Sequence, residues 1–185
     1  MPNRLRADAE RNRVALLTAA REVFGQHGLD ASLDEIARRA GVGNATLYRR
    51  FPTRRDLIAE VFAGQMSEYV TLADLAMHEP DPWGAFVGYL TRLFELQAAD
   101  RGLSELLVTT TFDDDERLAV LRTAAQRGAT EVVERAQAAG VLRADFTRRD
   151  ISLLMRANAG VMQGSSDPHA WQRQLVLLLD GLAAR

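Results

Sequence analysis

Between Ser32 and Leu57 two short helical stretches flank a three-residue break, Gly41-Val42-Gly43, and a third begins at once after Pro52-Thr53. Helices that short do not persist alone, because ordering the first turn costs more than its single hydrogen bond returns. They survive only by packing on their neighbours, so this segment commits the N-terminal part of the chain to a compact helical unit. Short helix, glycine turn, short helix is the helix-turn-helix arrangement, whose second helix can enter the DNA major groove.

The charge is distributed to match. Residues 1–55 hold 11 Arg against 6 acids, a net of +5, whereas residues 56–185 hold 12 Arg against 19 acids, a net of −7. The whole-chain charge of −2 conceals a basic head on an acidic body, and a nucleic-acid partner is implied for the head alone. Cysteine is absent, which excludes disulfides, thiolate zinc sites and cysteine nucleophiles. His27, His78 and His169 have no metal-ligand spacing, and Asp113-Asp114-Asp115 lacks the alternate spacing and the glycine of a calcium loop. No metal, cofactor or enzymatic activity is expected. No apolar run approaches the roughly 18–20 residues of a membrane helix, and the first residues lack an apolar signal core. The expectation is a cytoplasmic chain with no membrane contact.

Helical spacing runs through the rest. Val14, Leu17, Ala20 and Phe24 recur between Arg11 and His27, with Gly28 placed to end that helix. Ser32 and Glu35 have capping-box spacing ahead of Ile36-Ala37, and Thr53 with Asp56 repeats it ahead of a helix running to about Met77. Glu79-Pro80-Asp81-Pro82 is a charged two-proline linker. Beyond it, residues 83–96 form an almost fully apolar helix, residues 103–112 another apolar stretch, and residues 116–140 a long amphipathic helix. Two further stripes follow: Ile151, Leu154, Met155, Asn158, Val161 and Met162, then Trp171, Leu175, Leu178, Leu179 and Leu182. No strand pattern or internal repeat is present. The fold class expected is all-α, with about nine helices: a three-helix head over residues 1–55 and a helical-bundle body over residues 56–185.

The head resembles the DNA-binding domain of the tetracycline-repressor (TetR) family of bacterial regulators. The residues that carry the likeness are Ala19, Phe24, Gly28, Ile36-Ala37, Ala40-Gly41-Val42, Thr46-Leu47-Tyr48, Phe51 and Leu57, within residues 11–60. Two positions depart from the family pattern. Gly43 stands where Ser is common, which leaves Asn44 as a candidate for the cap of the recognition helix, and Arg54 stands where Lys is usual.

The resemblance implies that Thr46 and Tyr48 contact DNA phosphates, which fix register without reading sequence. Ser32 caps its helix and can offer a phosphate donor. Ala45 lies in the first turn of the recognition helix, among the expected DNA-facing residues. Arg49 is expected to read a base, since Arg takes guanine O6 and N7 with two hydrogen bonds. Arg50 and Arg54 are expected on phosphates. Asn44 either reads adenine or caps the helix, and Arg4, Arg6, Arg11 and Arg13 are either a basic arm on the DNA or a solvated tail.

By the same resemblance the body would bind a small molecule and dimerise. Trp83, Phe86, Phe94, Thr109, Phe112 and Asn158 are the candidate pocket wall, implying a neutral or cationic apolar effector. Asn158 could instead fix register across a dimer seam. Ile151, Leu154, Met155, Trp171, Leu175, Leu178 and Leu182 are the candidate homodimer interface, a four-helix bundle across the two-fold axis. The function expected is a one-component transcriptional regulator, a repressor released from a palindromic double-stranded DNA operator by its effector. The alternatives are a regulator with a vestigial pocket, or a helical enzyme or carrier that keeps the head as scaffold.

Overall fold

A computed structural model describes residues 2–109 and 115–184, with side chains from residue 7 onward. Its helices are α1 (Pro2–His27), α2 (Leu33–Arg39), α3 (Asn44–Arg50), α4 (Arg54–His78), α5 (Pro82–Ala99), α6 (Arg101–Val108), α7 (Glu116–Ala138), α8 (Arg148–Gly164) and α9 (Ala170–Leu182). The all-α reading holds, with a single isolated bridge, Leu142 to Ala183, as the only extended pairing among the described residues. None of the described helices is long and apolar enough to cross a membrane.

The helix boundaries follow from caps. Gly28, at φ +85°, takes the left-handed conformation that ends α1, and its amide closes on Phe24 O at 2.8 Å. Ser32 Oγ accepts from the Glu35 amide, half of the anticipated box; the Glu35 carboxylate turns instead toward Arg39 at 3.5 Å. The full box forms at Thr53 and Asp56. Asp81 caps α5, with Pro82 in the first turn, where a missing N–H costs nothing.

In the head, Leu16, Ala20, Val23 and Phe24 of α1 close on Ile36, Leu47, Phe51 and Leu57. Val14, expected on that stripe, is exposed; the buried face is centred on Leu16 and Ala20. The boundary anticipated between residues 55 and 56 falls in the first turn of α4, one continuous helix. It packs on α1 in the head and on α5 and α7 in the body. At the α4–α7 crossing a side chain on Gly128 would run into Ala73, so close approach there requires glycine.

Candidate functional site

On α3, Asn44, Ala45, Tyr48, Arg49 and Arg50 are exposed, Thr46 is half-buried, and Leu47 is buried against the head core. By helical spacing Asn44, Ala45, Tyr48 and Arg49 share one flank, with Thr46 and Arg50 farther round and Leu47 as the buried anchor. Arg49 and Arg50 form no ion pair with any described residue, whereas Arg38 and Arg39 of α2 lie against Glu35. Tyr48 is 48% exposed.

Two anticipated roles change. The N-cap of α3 is Gly43, not Asn44. Asn44 Nδ2 donates to Asp34 Oδ1 at 2.7 Å, fastening the start of α3 to α2. Arg54 turns inward: its Nη1 donates to Leu29 O at 2.8 Å and Ala31 O at 2.5 Å. A guanidinium holding the two carbonyls of the α1–α2 loop is a structural clamp, and the multiple donors of Arg allow it. Arg11 pairs with Asp8, and Arg13 pairs with Glu10 and reaches Glu60 on α4, so both belong to the surface of α1. The side chains of Arg4 and Arg6 lie outside the described residues.

The same loop is held from the body. Glu105 of α6 accepts the Leu29 amide at 2.8 Å while pairing with Arg101. Gly102 lets α6 come this close, since a Cβ there would sit 2.8 Å from Phe24 O and 2.9 Å from the Phe62 ring. Nothing in the sequence marked Glu105; its partner is 76 residues away.

A cavity of about 260 Å³ lies in the body between α4, α5, α6, α7 and α8. Its inner wall is apolar, with Met66, Leu93, Leu118 and Met155 buried there. Tyr69 and Tyr89 add phenol groups, and burial pushes both pKa values up, so each hydroxyl remains a neutral donor. Arg122, Arg148 and Arg156 also line it.

Of the described residues of the anticipated pocket wall, Thr109 alone lines this cavity. Trp83 stacks on Phe86 at 5.8 Å, and Phe86 meets the edge of Phe146 at 5.5 Å, so this aromatic group is core. Phe94 is fully buried, and Phe112 lies outside the described residues. Asn158, also fully buried, donates to Gln97 Oε1 at 2.8 Å, and Gln97 donates to Met155 O at 2.9 Å. That pair ties α5 to α8 within one chain, which removes Asn158 from both the pocket and an inter-chain seam.

The candidate interface residues also turn inward. Ile151, Met155, Trp171, Leu175 and Leu182 are buried within the protomer, while Leu154 and Leu178 are half-buried. The opposite face of α8 and α9 exposes Leu153 at 61%, Val176 at 52% and Leu177 at 57%. Solvated apolar side chains on two neighbouring helices mark a surface that another molecule can cover.

The comparisons agree with this architecture. Residues 16–61 match the family model described as bacterial regulatory proteins, tetR family. Residues 81–184 match that of the transcriptional regulator SbtR-like C-terminal domain. The HTH-type transcriptional regulator SrpR of Pseudomonas putida is 38% identical over 66 residues, 35% of this chain and 31% of that protein. The matched stretch thus spans about a third of the curated relatives. Solved structures align over nearly the whole chain. A TetR transcription regulatory protein from Mycobacterium vanbaalenii has 32% identity and a TM-score of 0.61, covering 97% of this chain and 99% of its own. The TetR transcriptional regulator SCO0520 from Streptomyces coelicolor has 32% identity and a TM-score of 0.61, covering 93% and 98%. With both its head and its body matched, the chain belongs to the TetR family of bacterial regulatory proteins.

Proposed function

We propose that this protein is an effector-responsive transcriptional repressor that binds a palindromic operator as a homodimer. The observation that carries the reading is the exposed flank of α3 bearing Tyr48 and Arg49, with Arg50 exposed farther round the helix and neither arginine paired with a described acid, on a head of net charge +5. In this reading Thr46, Tyr48 and Arg50 grip phosphates, Arg49 reads a base, and Ser32 offers its hydroxyl proton while its oxygen caps α2. Ala45 and the Asn44–Asp34 pair lie on the DNA side of the turn and set how closely α3 seats.

The two copies would join through the face bearing Leu153, Val176 and Leu177, presenting their α3 helices to successive major grooves about 34–36 Å apart, or a multiple of that. The cavity would hold the effector, and the contact of α6 with the Leu29 loop would carry its presence to the head. An effector that binds better to a dimer with the wrong head spacing shifts the population off DNA.

Footprinting with the full-length protein across the DNA flanking its own gene tests this. Protection of two half-sites related by a dyad is expected. Binding that is equally strong on any duplex at physiological salt would exclude an operator-specific regulator.

A further inference from the structure

Several arginines of the body are neutralised by neighbours: Arg92 by Glu95, Arg117 by Asp115, Arg143 by Asp145. Arg148 and Arg156 are not. Neither pairs with any described acid, both line the cavity, and no described residue lining it is acidic. With Ser152 between them they follow a four-residue spacing along one flank of α8, so they share one edge of the opening. Both side chains are exposed while the deeper wall, Met66, Leu93 and Met155 among it, is buried. The cavity is therefore graded, from an apolar interior to a cationic mouth.

The interior also holds a group left unfinished by the fold. The Tyr69 hydroxyl is buried and has no hydrogen-bond partner among the described residues, and Tyr69, only 5% exposed, lines the cavity. Buried polar groups without partners are uncommon and costly, so a ligand whose enclosed body also carries an oxygen, a ring hydroxyl for instance, would gain a hydrogen bond there beyond those of its anionic group. The volume of about 260 Å³ lies just under the roughly 300–1,000 Å³ of drug-sized sites, which calls for a compact ligand.

We infer that the cavity takes a small amphipathic carboxylate, its aliphatic or aromatic body inside and its anionic group held at the mouth by Arg148 and Arg156. This charge preference is opposite to the one the acidic body suggests. The field of distant acids is screened beyond about 8–10 Å at ordinary salt, whereas guanidinium groups at the mouth meet the ligand directly. The inference rests on reading the cavity as the effector site.

Isothermal titration calorimetry on the full-length protein without DNA tests it, using octanoate and 3-phenylpropanoate beside their matched amides and amines. The acids are expected to bind at least about ten-fold tighter than the amides, and the amines more weakly still. The double substitution Arg148→Gln and Arg156→Gln should remove that ten-fold preference while leaving amide binding and the thermal melt unchanged. Amides or amines that bind as tightly as the acids would overturn the inference, as would acids that bind no tighter than about 1 mM. So would a double variant that folds and keeps its full preference. Operator release, followed separately by fluorescence anisotropy, isolates the regulatory reading. Acids that bind with the expected preference yet release no DNA would uphold this site and remove its role as effector site.

Discussion

The carboxylate of Glu105 accepts the backbone amide of Leu29 at 2.8 Å, joining a helix of the body to the loop that leads into the helix-turn-helix. Arg54 holds the carbonyl of the same residue, so the Leu29 peptide groups are fixed from both sides. The C-terminal half of α6 meanwhile lines the cavity through Leu106 and Leu107. A displacement of α6 by a ligand would therefore act on the head through the residue next to those that touch the ligand. Glu105→Ala is expected to cost about 1.5–3 kcal/mol in stability, the range for hydrogen bonds to a charged group. It should also blunt effector-driven release from DNA. Urea denaturation and operator titration with and without ligand measure the two effects; unchanged effector response in a destabilised variant would place the coupling elsewhere.

Gly102 sets how near α6 lies to α1. A methyl group there meets a backbone carbonyl, Phe24 O, and the Phe62 ring, neither of which can swing aside as a surface side chain can. Gly102→Ala should displace α6 and lower stability by about 1–3 kcal/mol, as overpacking does. The thermal melt checks the cost. Because the displacement stretches the Glu105–Leu29 contact, operator affinity should fall in the same variant even at temperatures where it remains folded.

Helix count and order were legible because the apolar spacing, the Thr53–Asp56 box and the Asp81-Pro82 start are local signals. What each apolar face packs against was not. The stripe Trp171, Leu175 and Leu182 reads equally well as a seam between chains or as the inner face of α9, and the fold makes it the inner face. The pocket was expected among other residues for the same reason. Arg148 and Arg156 look in sequence like solvated residues of an amphipathic helix, and only the packing of α8 beside α5, α6 and α7 gives them a concave surface to line. Arg54 and Asn44 were misplaced because their partners, Leu29 and Ala31 for one and Asp34 for the other, come from preceding elements.

DNA contacts on α3 should separate by type. Arg49→Ala is expected to cost roughly 1–3 kcal/mol at the operator and to relax preference at one position per half-site. Arg50→Ala should weaken binding to all sequences alike and lower the slope of log affinity against log salt by about one unit. Arg54→Ala should differ from both, destabilising the head through the orphaned carbonyls of Leu29 and Ala31, with a loss visible in the melt before DNA is added. Selection from a randomised operator library, with titrations at several salt concentrations, distinguishes the three. An Arg49→Ala variant that keeps full base preference would shift the reading role to another residue.

The two faces of α9 give the sharpest test of how copies associate. Leu177 is 57% exposed, so replacing it by Arg leaves the protomer core intact and places a charge only where a partner would sit. Leu175, at 5% exposed, lies two residues away on the inner face, where an Arg would be buried without a counter-charge. Leu177→Arg should therefore fold with a native melt and sediment as a monomer, losing operator binding because two half-sites no longer share one protein. Leu175→Arg should lose the fold itself, by the heavy penalty of an unpaired buried ion. Analytical ultracentrifugation with circular dichroism reads both. A Leu177→Arg protein that remains dimeric would move the interface away from the Leu153, Val176 and Leu177 face.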